Sequence, residues 1–389
     1  MDAVTRNRLE TGAFLPRPDR GRYLRTLRAL RAEAAESAGA VRIRDAEPLT
    51  FLARLGSALL EGRGCVLGAT AGPHDSAPGP GELLIPTGGT TGRSRFARHT
   101  WETLACAATG LREATGGGPV NSLCVLPLHH VSGLMQAVRA VESGGRVRPY
   151  SWKSLISGDW PRREPGPQWL SLVPTQLQRL IRRPGGEAFL KQFDAVLLGG
   201  AAVLPEVARE ARRLALPIRL CYGMTETAAM VCIQEKDTFL RGDDSCGPPL
   251  PHVRIEAGPG PDAPAPVSIR SGALFLGYAG GAARAPGAPF ETADLGYRTA
   301  GGLRIVGRRD RVIVTGGENV DPAAVEGALR SLPGIRDAAV VGLPDVDWGE
   351  RVAAAIVCRD GFAMADEAIR RALRREMPVY MLPKAMYRP

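Results

Sequence analysis

The segment PTGGTTGRSRFA occupies residues 86–97 and follows the apolar stretch ELLIP at 82–86. An apolar stretch ahead of a run of Gly and Thr predicts a strand that ends in a loop. Small residues let backbone N–H groups approach phosphate oxygens, and Thr hydroxyls add donors, so this loop suits a triphosphate. Its spacing is neither that of a P-loop nor that of a dinucleotide-binding G-x-G-x-x-G turn. A purely structural Gly/Thr turn is the alternative.

Strands and helices alternate around this loop. Apolar residues at helical spacing predict helices over 20–36, 48–60, 102–114 and 133–143. Short apolar runs predict buried strands at 122–126, 169–173, 194–198 and 218–222. Such alternation favours a parallel α/β sheet, and beyond Gly307 the order strand, turn, helix, strand, strand, helix favours a compact α+β module. We therefore predict the α/β fold class, with a large domain over 1–307 and a small, mobile C-terminal lid over 308–389.

The composition is typical of a globular protein. The chain has 389 residues, of which 44% are hydrophobic and 23% charged, and no apolar run reaches the ~18 residues of a membrane span. Half of the net charge of +10 lies in residues 1–44, where arginines alternate with leucines as on the solvated face of an amphipathic helix. The seven cysteines lack zinc or disulfide spacing. We expect a cytoplasmic protein with reduced thiols, no nucleic-acid partner and no membrane insertion.

A second segment with candidate functional residues is RLCYGMTETAAMV at 219–231. At the end of its apolar strand, Tyr222 could stack on a purine and Glu226 could hold Mg²⁺ on phosphates. The alternative is a strand end followed by a helix-capping Thr-Glu pair. Farther on, Asp294 would suit a ribose diol and Arg308 a phosphate or ribose, although a lone Asp in a turn is usually a turn residue.

The segment LPLHHVSGLMQAVRAV at 126–141 places three polar residues on one helix face. Ser132, Gln136 and Arg139 stand at i, i+4 and i+7. An aromatic dicarboxylate needs an anion site remote from its reacting carboxyl group, and Arg offers a planar bidentate donor. His130 stands at the helix start. An exposed helix Arg and a capping or core His are the alternatives.

Taken in order, these segments resemble the acyl-adenylate-forming (AMP-binding) superfamily of acyl-CoA synthetases, luciferases and adenylation domains. Within it, PTGGTTGRSRFARHTW and LPLHHVSGLMQAVRAV are most similar to o-succinylbenzoate–CoA ligases of menaquinone and phylloquinone synthesis. The resemblance implies an AMP-forming acid-thiol ligase that uses ATP, Mg²⁺ and coenzyme A in an adenylation step followed by thiolysis. Alternatives are an aryl- or acyl-CoA ligase for a different acid and a non-catalytic nucleotide- or acyl-binding homologue. The oligomeric state stays open, a homodimer included.

The resemblance also implies roles for individual residues. The phosphate loop would comprise Thr87, Gly88, Gly89, Thr90, Thr91 and Gly92, with Arg95 replacing the usual lysine. Further nucleotide contacts would come from Gly199, Gly200, Ala201, Tyr222, Gly223, Thr225, Asp294 and Arg308, with Glu226 as metal ligand. Asp310 would be the hinge, and Gly316, Gly317 and Glu318 would form the lid loop. The predicted catalytic residues are Thr90, Arg95, Glu226 and His130, and the predicted acyl-binding residues are Ser132, Gln136 and Arg139.

One family feature has no match. The family carries a lysine in a Gly-Lys turn near the C-terminus, where it reaches the acyl carboxylate and the α-phosphate. The sequence here ends in YMLPKAMYRP, so Lys384 matches the strand before that turn. The resemblance therefore predicts an impaired adenylation step in the chain as written.

Overall fold

The structure is a computed structural model that describes residues 1–34, 39–68, 77–87, 95–309, 312–315, 318–359, 361–362 and 364–388. It divides into two compact units. The first comprises Met1–Glu256, Ser268–Phe290 and Thr299–Arg304. The second comprises Ala257–Val267, Glu291–Arg298 and Ile305–Pro389.

The first unit begins with three helices, α1 (Ala3–Thr11), α2 (Arg17–Ala34) and α3 (Pro48–Leu60). Tyr23 of α2 is fully buried and donates its hydroxyl to the Leu9 carbonyl at 2.8 Å. A Cβ at Gly56 of α3 would lie 2.5 Å from that hydroxyl oxygen, so glycine permits the close packing of α2 on α3. The predicted helix over 48–60 is confirmed, and that over 20–36 is confirmed as far as Ala34, where the described residues end.

A four-stranded sheet holds the predicted phosphate loop. Its order is β1 (Val41–Ile43), β2 (Cys65–Leu67), β3 (Glu82–Pro86) and β4 (Phe96–Thr100). The first three strands are parallel, whereas β3 and β4 form an antiparallel pair with Pro86 opposite Phe96. The ELLIP strand is confirmed, and residues 87–95 connect β3 to β4.

A six-stranded sheet forms the centre of the first unit. It contains β5 (Ser122–Cys124), β6 (Val147–Pro149), β7 (Trp169–Leu172), β8 (Ala195–Leu198), β9 (Ile218–Met224) and β10 (Ala229–Ile233), in the order β10-β9-β8-β7-β5-β6. All neighbours are parallel except β9 and β10. The predicted parallel arrangement of the apolar runs is therefore confirmed.

Helices cover this sheet. They are α4 (Trp101–Ala114), α5 (Val131–Ser143), α6 (Trp152–Ser157), α7 (Pro174–Ile181), α8 (Gly186–Leu190), α9 (Pro205–Arg213) and α10 (Lys236–Leu240). Alternate residues of β7 and β8, such as Leu170 and Val196, pack in one core with α6 to α9. Helices α4 and α5 pack in a second core with α1 to α3. Within the described ranges, no helix is long and apolar enough to cross a membrane.

Four strands follow along the chain: β11 (Val253–Glu256), β12 (Ala265–Ser271), β13 (Phe290–Thr299) and β14 (Gly302–Arg308). Residues 253–256 pair antiparallel with 268–271 in the first unit.

The second unit contains a mixed sheet and two helices. Its strands are β15 (Ile313–Thr315), β16 (Glu318–Val320), β17 (Ile335–Asp345), β18 (Gly349–Cys358) and β19 (Ala385–Tyr387), and its helices are α11 (Pro322–Ser331) and α12 (Asp366–Leu373). The order is β16-β15-β18-β17, with β19 parallel to β18. Asp321 caps α11 by accepting a hydrogen bond from the Ala323 N–H at 3.0 Å. Pro322 follows at the start of the helix, where its fixed φ suits the first turn.

Candidate functional site

The two ends of the predicted phosphate loop are fixed to each other. The Thr87 N–H and hydroxyl both donate to the Arg95 carbonyl, at 2.8 and 3.1 Å. The Arg95 guanidinium lies over the ring of Tyr278, 4.2 Å from its centroid. The predicted loop residues Gly88, Gly89, Thr90, Thr91 and Gly92 lie outside the described residues. The structure therefore places a cation at the C-terminal end of this loop.

Glu226 follows strand β9 in a single helical turn, Thr225–Thr227. Its side chain is buried, and its Oε1 accepts a hydrogen bond from the Tyr278 hydroxyl at 2.7 Å. Its carbonyl accepts a second bond from the Phe275 N–H at 2.9 Å. Tyr278 thus contacts both Arg95 and Glu226, two residues that the sequence analysis selected separately. Tyr278 itself was missed, because a single aromatic in LFLGYAGG has no spacing that indicates its role.

The backbone after Glu226 is strained. Ala228 and Ala229 have φ values of +51° and +70°, in the left-handed region that a Cβ disfavours. Opposite them, a Cβ at Gly223 would lie 1.9 Å from the Ala229 carbonyl oxygen, so only glycine fits. Tyr222, just before Gly223, is buried. The turn between β9 and β10 therefore has a tightly determined shape.

His99 links this turn to strand β4. It is completely buried, with Nε2 at 2.8 Å from the Thr225 carbonyl and Nδ1 at 2.9 Å from the Thr103 hydroxyl. Because a carbonyl oxygen only accepts, we assign the proton to Nε2. Burial lowers the pKa of His99 to about 4, so the ring is neutral at pH 7. The sequence analysis did not single out His99.

Helix α5 carries the residues predicted to bind the acyl group. Gln136 and Arg139 are buried, and Gln136 donates to the Ser132 carbonyl at 3.1 Å. Within the described part of the chain, Arg139 Nε and Gln136 Oε1 have no hydrogen-bond partner. Burial lowers the pKa of Arg139 to about 10, and Cys221 interacts with it electrostatically. A buried guanidinium whose Nε has no partner among the described residues is costly, which indicates a place for an anion.

The other predicted acyl-site residues surround this helix and the sheet end. His130 immediately precedes α5, with its ring centroid 4.4 Å from that of His129. Gly199, Gly200 and Ala201 follow strand β8. A Cβ at Gly199 would lie 2.7 Å from the Cys221 sulfur, the thiol that also faces Arg139. Residues from β8, β9 and α5 are therefore neighbours.

In the second unit, the predicted ribose-binding residues contact each other. Arg308 Nη1 lies 3.1 Å from Asp294 Oδ1. Asp294 is buried, and its N–H donates to the Thr292 hydroxyl at 3.1 Å. Of the predicted hinge and lid loop, Asp310, Gly316 and Gly317 lie outside the described residues, and Glu318 is exposed at the start of β16.

Three further features bear on the chemistry. The seven cysteines are free thiols in the structure, and burial raises the pKa of Cys65 and Cys124 to about 12. Among the described residues, no group of three or more His, Cys, Asp or Glu side chains could hold a metal ion. Lys384 Nζ lies 3.0 Å from the centroid of the exposed Trp348 ring.

Comparisons with known proteins identify the family of this chain. The model of the AMP-binding enzyme family matches residues 33–278, and that of the AMP-binding enzyme C-terminal domain matches 324–388. The chain is 32% identical over 317 residues to a "probable 2-succinylbenzoate–CoA ligase" of Mycobacterium tuberculosis, covering 78% of each chain. It is 31% identical over 336 residues to a sulfoacetate–CoA ligase of Cupriavidus necator, covering 80% of this chain and 63% of that one.

A solved structure extends the comparison. The o-succinylbenzoate CoA synthetase of Bacillus subtilis, in complex with the acyl-adenylate intermediate OSB-AMP, matches with a TM-score of 0.78 at 20% identity. The match covers 95% of this chain and 88% of that chain. The predicted α/β fold with a small C-terminal domain is therefore confirmed.

Proposed function

Because this chain belongs to the AMP-binding enzyme family, we propose that it is an AMP-forming acid-thiol ligase that joins 2-succinylbenzoate to coenzyme A with ATP. The family accounts for the nucleotide chemistry. The choice of acid is supported by Arg139, which is buried and whose Nε has no hydrogen-bond partner in the part of the chain that the structure describes. The two named relatives act on acids with a second anionic group, a carboxylate in 2-succinylbenzoate and a sulfonate in sulfoacetate.

In the first step, the reacting carboxylate attacks the α-phosphate of ATP and pyrophosphate leaves. Thr87, Arg95 and the loop between them bind the phosphates, with Thr90 of that loop among the proposed catalytic residues. Glu226 fits Mg²⁺, because it is a single buried carboxylate, and Mg²⁺ takes its remaining ligands from substrate oxygens and water. When bound, the metal neutralises charge on the phosphates. Positioning and charge neutralisation then supply most of the acceleration.

The acyl group lies against α5 and the ends of β8 and β9. Arg139 and Gln136 bind the remote carboxylate, since a guanidinium pairs with a carboxylate in a fixed planar geometry. Ser132 and His130 border the acyl group. Gly199, Gly200 and Ala201 lie beside it, and Gly199 packs so closely on Cys221 that a side chain there would collide with it.

Adenosine recognition and the second step use further residues. Tyr222 stacks on the adenine, and Gly223 and Thr225 shape the turn beside it. Asp294, oriented by Arg308, binds the ribose diol. Asp310 is the proposed hinge between the 1–307 and 308–389 domains, and Gly316, Gly317 and Glu318 form the proposed loop that serves thiolysis by coenzyme A. Both co-substrates are cytoplasmic metabolites, which favours a cytoplasmic enzyme.

The test is pyrophosphate release with a panel of acids, with and without coenzyme A. We expect Mg²⁺-dependent release with 2-succinylbenzoate and little with benzoate, which lacks the second anion. Preference for sulfoacetate would move the assignment to that acid. Preference for benzoate or a fatty acid would contradict the role of Arg139. ATP binding without release by any acid would favour a binding protein.

A further inference from the structure

Tyr278 supports the two charged residues of the proposed phosphate site at once. Its hydroxyl donates to Glu226 Oε1 at 2.7 Å, and its ring lies 4.2 Å below the Arg95 guanidinium. A phenol that donates to a carboxylate and presents its ring face to a cation combines two favourable contacts in one side chain.

The segment that contains Tyr278 is hydrogen-bonded to strand β4. Tyr278 forms an isolated antiparallel bridge with Ala97. On either side, the Leu276 N–H donates to the Arg98 carbonyl at 2.7 Å and the Ala279 N–H to the Phe96 carbonyl at 2.9 Å. Residues 276–279 therefore extend the β3–β4 hairpin by a third antiparallel stretch. The position of Tyr278 is fixed relative to both ends of the phosphate loop.

The same segment is also hydrogen-bonded to the turn that contains Glu226. The Phe275 N–H donates to the Glu226 carbonyl at 2.9 Å, and the Phe275 ring packs edge-on against Tyr278, with centroids 4.9 Å apart. The backbone and the carboxylate of Glu226 are thus both held from residues 275–278. The orientation of this carboxylate depends on a segment 52 residues away from it in sequence.

We propose that Tyr278 is a positioning residue that keeps the Arg95 cation and the Glu226 carboxylate apart and each correctly oriented. A guanidinium and a carboxylate near each other tend to form a bidentate ion pair, which would occupy the oxygens needed for metal binding. The structure, which describes both residues, shows no such pair; each contacts Tyr278 instead. This inference rests on the proposed function, in which Arg95 binds phosphate and Glu226 binds Mg²⁺.

Tyr278→Phe tests the inference, because it removes only the hydroxyl and keeps the ring under Arg95. Groups that orient a metal ligand typically contribute about 10–100-fold to metal affinity. We therefore expect calorimetry to show about 10-fold weaker binding of Mg·ATP to the variant. Binding of ATP in EDTA should stay within about twofold of the wild type, because the metal is absent there. Thiolysis of preformed acyl-adenylate should also be unchanged, since that step transfers no phosphate.

Tyr150→Phe is the matched control. Its hydroxyl also donates to an oxygen, the Asp159 carbonyl at 2.9 Å, on the protein surface. Tyr150→Phe should change neither the binding of Mg·ATP, nor the binding of ATP in EDTA, nor the rate of thiolysis. An equal loss of ATP affinity with and without metal in Tyr278→Phe, or no loss at all, would overturn the positioning role. A wild-type protein that neither binds Mg·ATP nor releases pyrophosphate would overturn the proposed function instead.

Discussion

Arg139→Met is expected to stabilise the ligand-free protein while it weakens binding of the acid. Burial lowers the pKa of Arg139 from 12.5 to about 10, and a change of this size corresponds to about 3 kcal/mol. At every pH below the lowered pKa, Arg139 is charged in both the folded and the unfolded state. Only the folded state has removed this charge from water, so the cost of burial lowers the free energy of unfolding over this whole pH range. Replacing a buried charge by an apolar side chain of similar size is often stabilising, by about 1–4 kcal/mol.

Thermal unfolding without ligand measures the first effect. One kcal/mol moves Tm by about 2–4 °C in mid-sized domains, so the variant should unfold a few degrees above the wild type. Steady-state kinetics measures the second effect. Removing one partner of a buried ion pair costs about 2–5 kcal/mol, so KM for 2-succinylbenzoate should rise by orders of magnitude. The Kd of ATP should hardly change.

Arg219→Met is the matched control for the stability measurement. Arg219 is also buried, but its Nε donates to the Gln234 carbonyl at 2.8 Å and its guanidinium pairs with Glu235. This variant should unfold at a lower temperature, because an unsatisfied carbonyl remains. If Arg139→Met lowered Tm as much as Arg219→Met, Arg139 would be a structural arginine and the argument for an anion site would fail.

Four further variants, at three positions, test the Glu226 turn. Glu226→Gln keeps the shape but removes the charge, so pyrophosphate release should fall strongly at fixed Mg²⁺; normal release would remove Glu226 from the site. His99→Leu should cost about 1–3 kcal/mol by leaving the Thr225 carbonyl unsatisfied, and His99→Gln, which can still donate, should lose less in denaturant unfolding. Burial lowers the pKa of His99 from 6.5 to about 4. As the pH falls from 6.5 to 4, the unfolded chain therefore binds a proton at His99 before the folded protein does, and the free energy of unfolding of the wild type should decrease. The decrease should be smaller in His99→Gln, which has no titrating group at this position. Gly223→Ala should lower Tm by several degrees, since its Cβ would lie 1.9 Å from the Ala229 carbonyl oxygen; an unchanged Tm would show that the turn can relax.

The elements that the sequence predicts are those whose apolar residues have a clear period. Runs such as the one ending at Leu198 form buried parallel strands, and α5 has its apolar residues at helical spacing. Strand β4 is not predictable in this way, because FARHT contains Arg98 and His99, which resemble a polar loop. His99 is nevertheless buried, since both ring nitrogens find partners from other segments. Sequence spacing carries no information about partners 126 residues apart.

The same limit applies to the candidate site. The Gly/Thr loop and the Thr-Glu turn are visible as local motifs, and α5 shows Ser132, Gln136 and Arg139 on one face. Tyr278 is not visible, because its role depends on the pairing of residues 276–279 with β4. The ion pair between Arg308 and Asp294 likewise depends on the pairing of strands rather than on sequence distance.

Strand β4 connects the proposed phosphate loop with Glu226, the proposed metal ligand. Arg95, which immediately precedes β4, accepts two hydrogen bonds from Thr87, and the edge of β4 pairs with the segment of Tyr278. Near its end, His99 donates to the carbonyl beside Glu226. A shift of β4 would therefore move the loop end, Tyr278 and the Glu226 turn together. It follows that changes in this strand should alter phosphate binding and Mg²⁺ dependence jointly, whereas changes at Arg139 should alter neither.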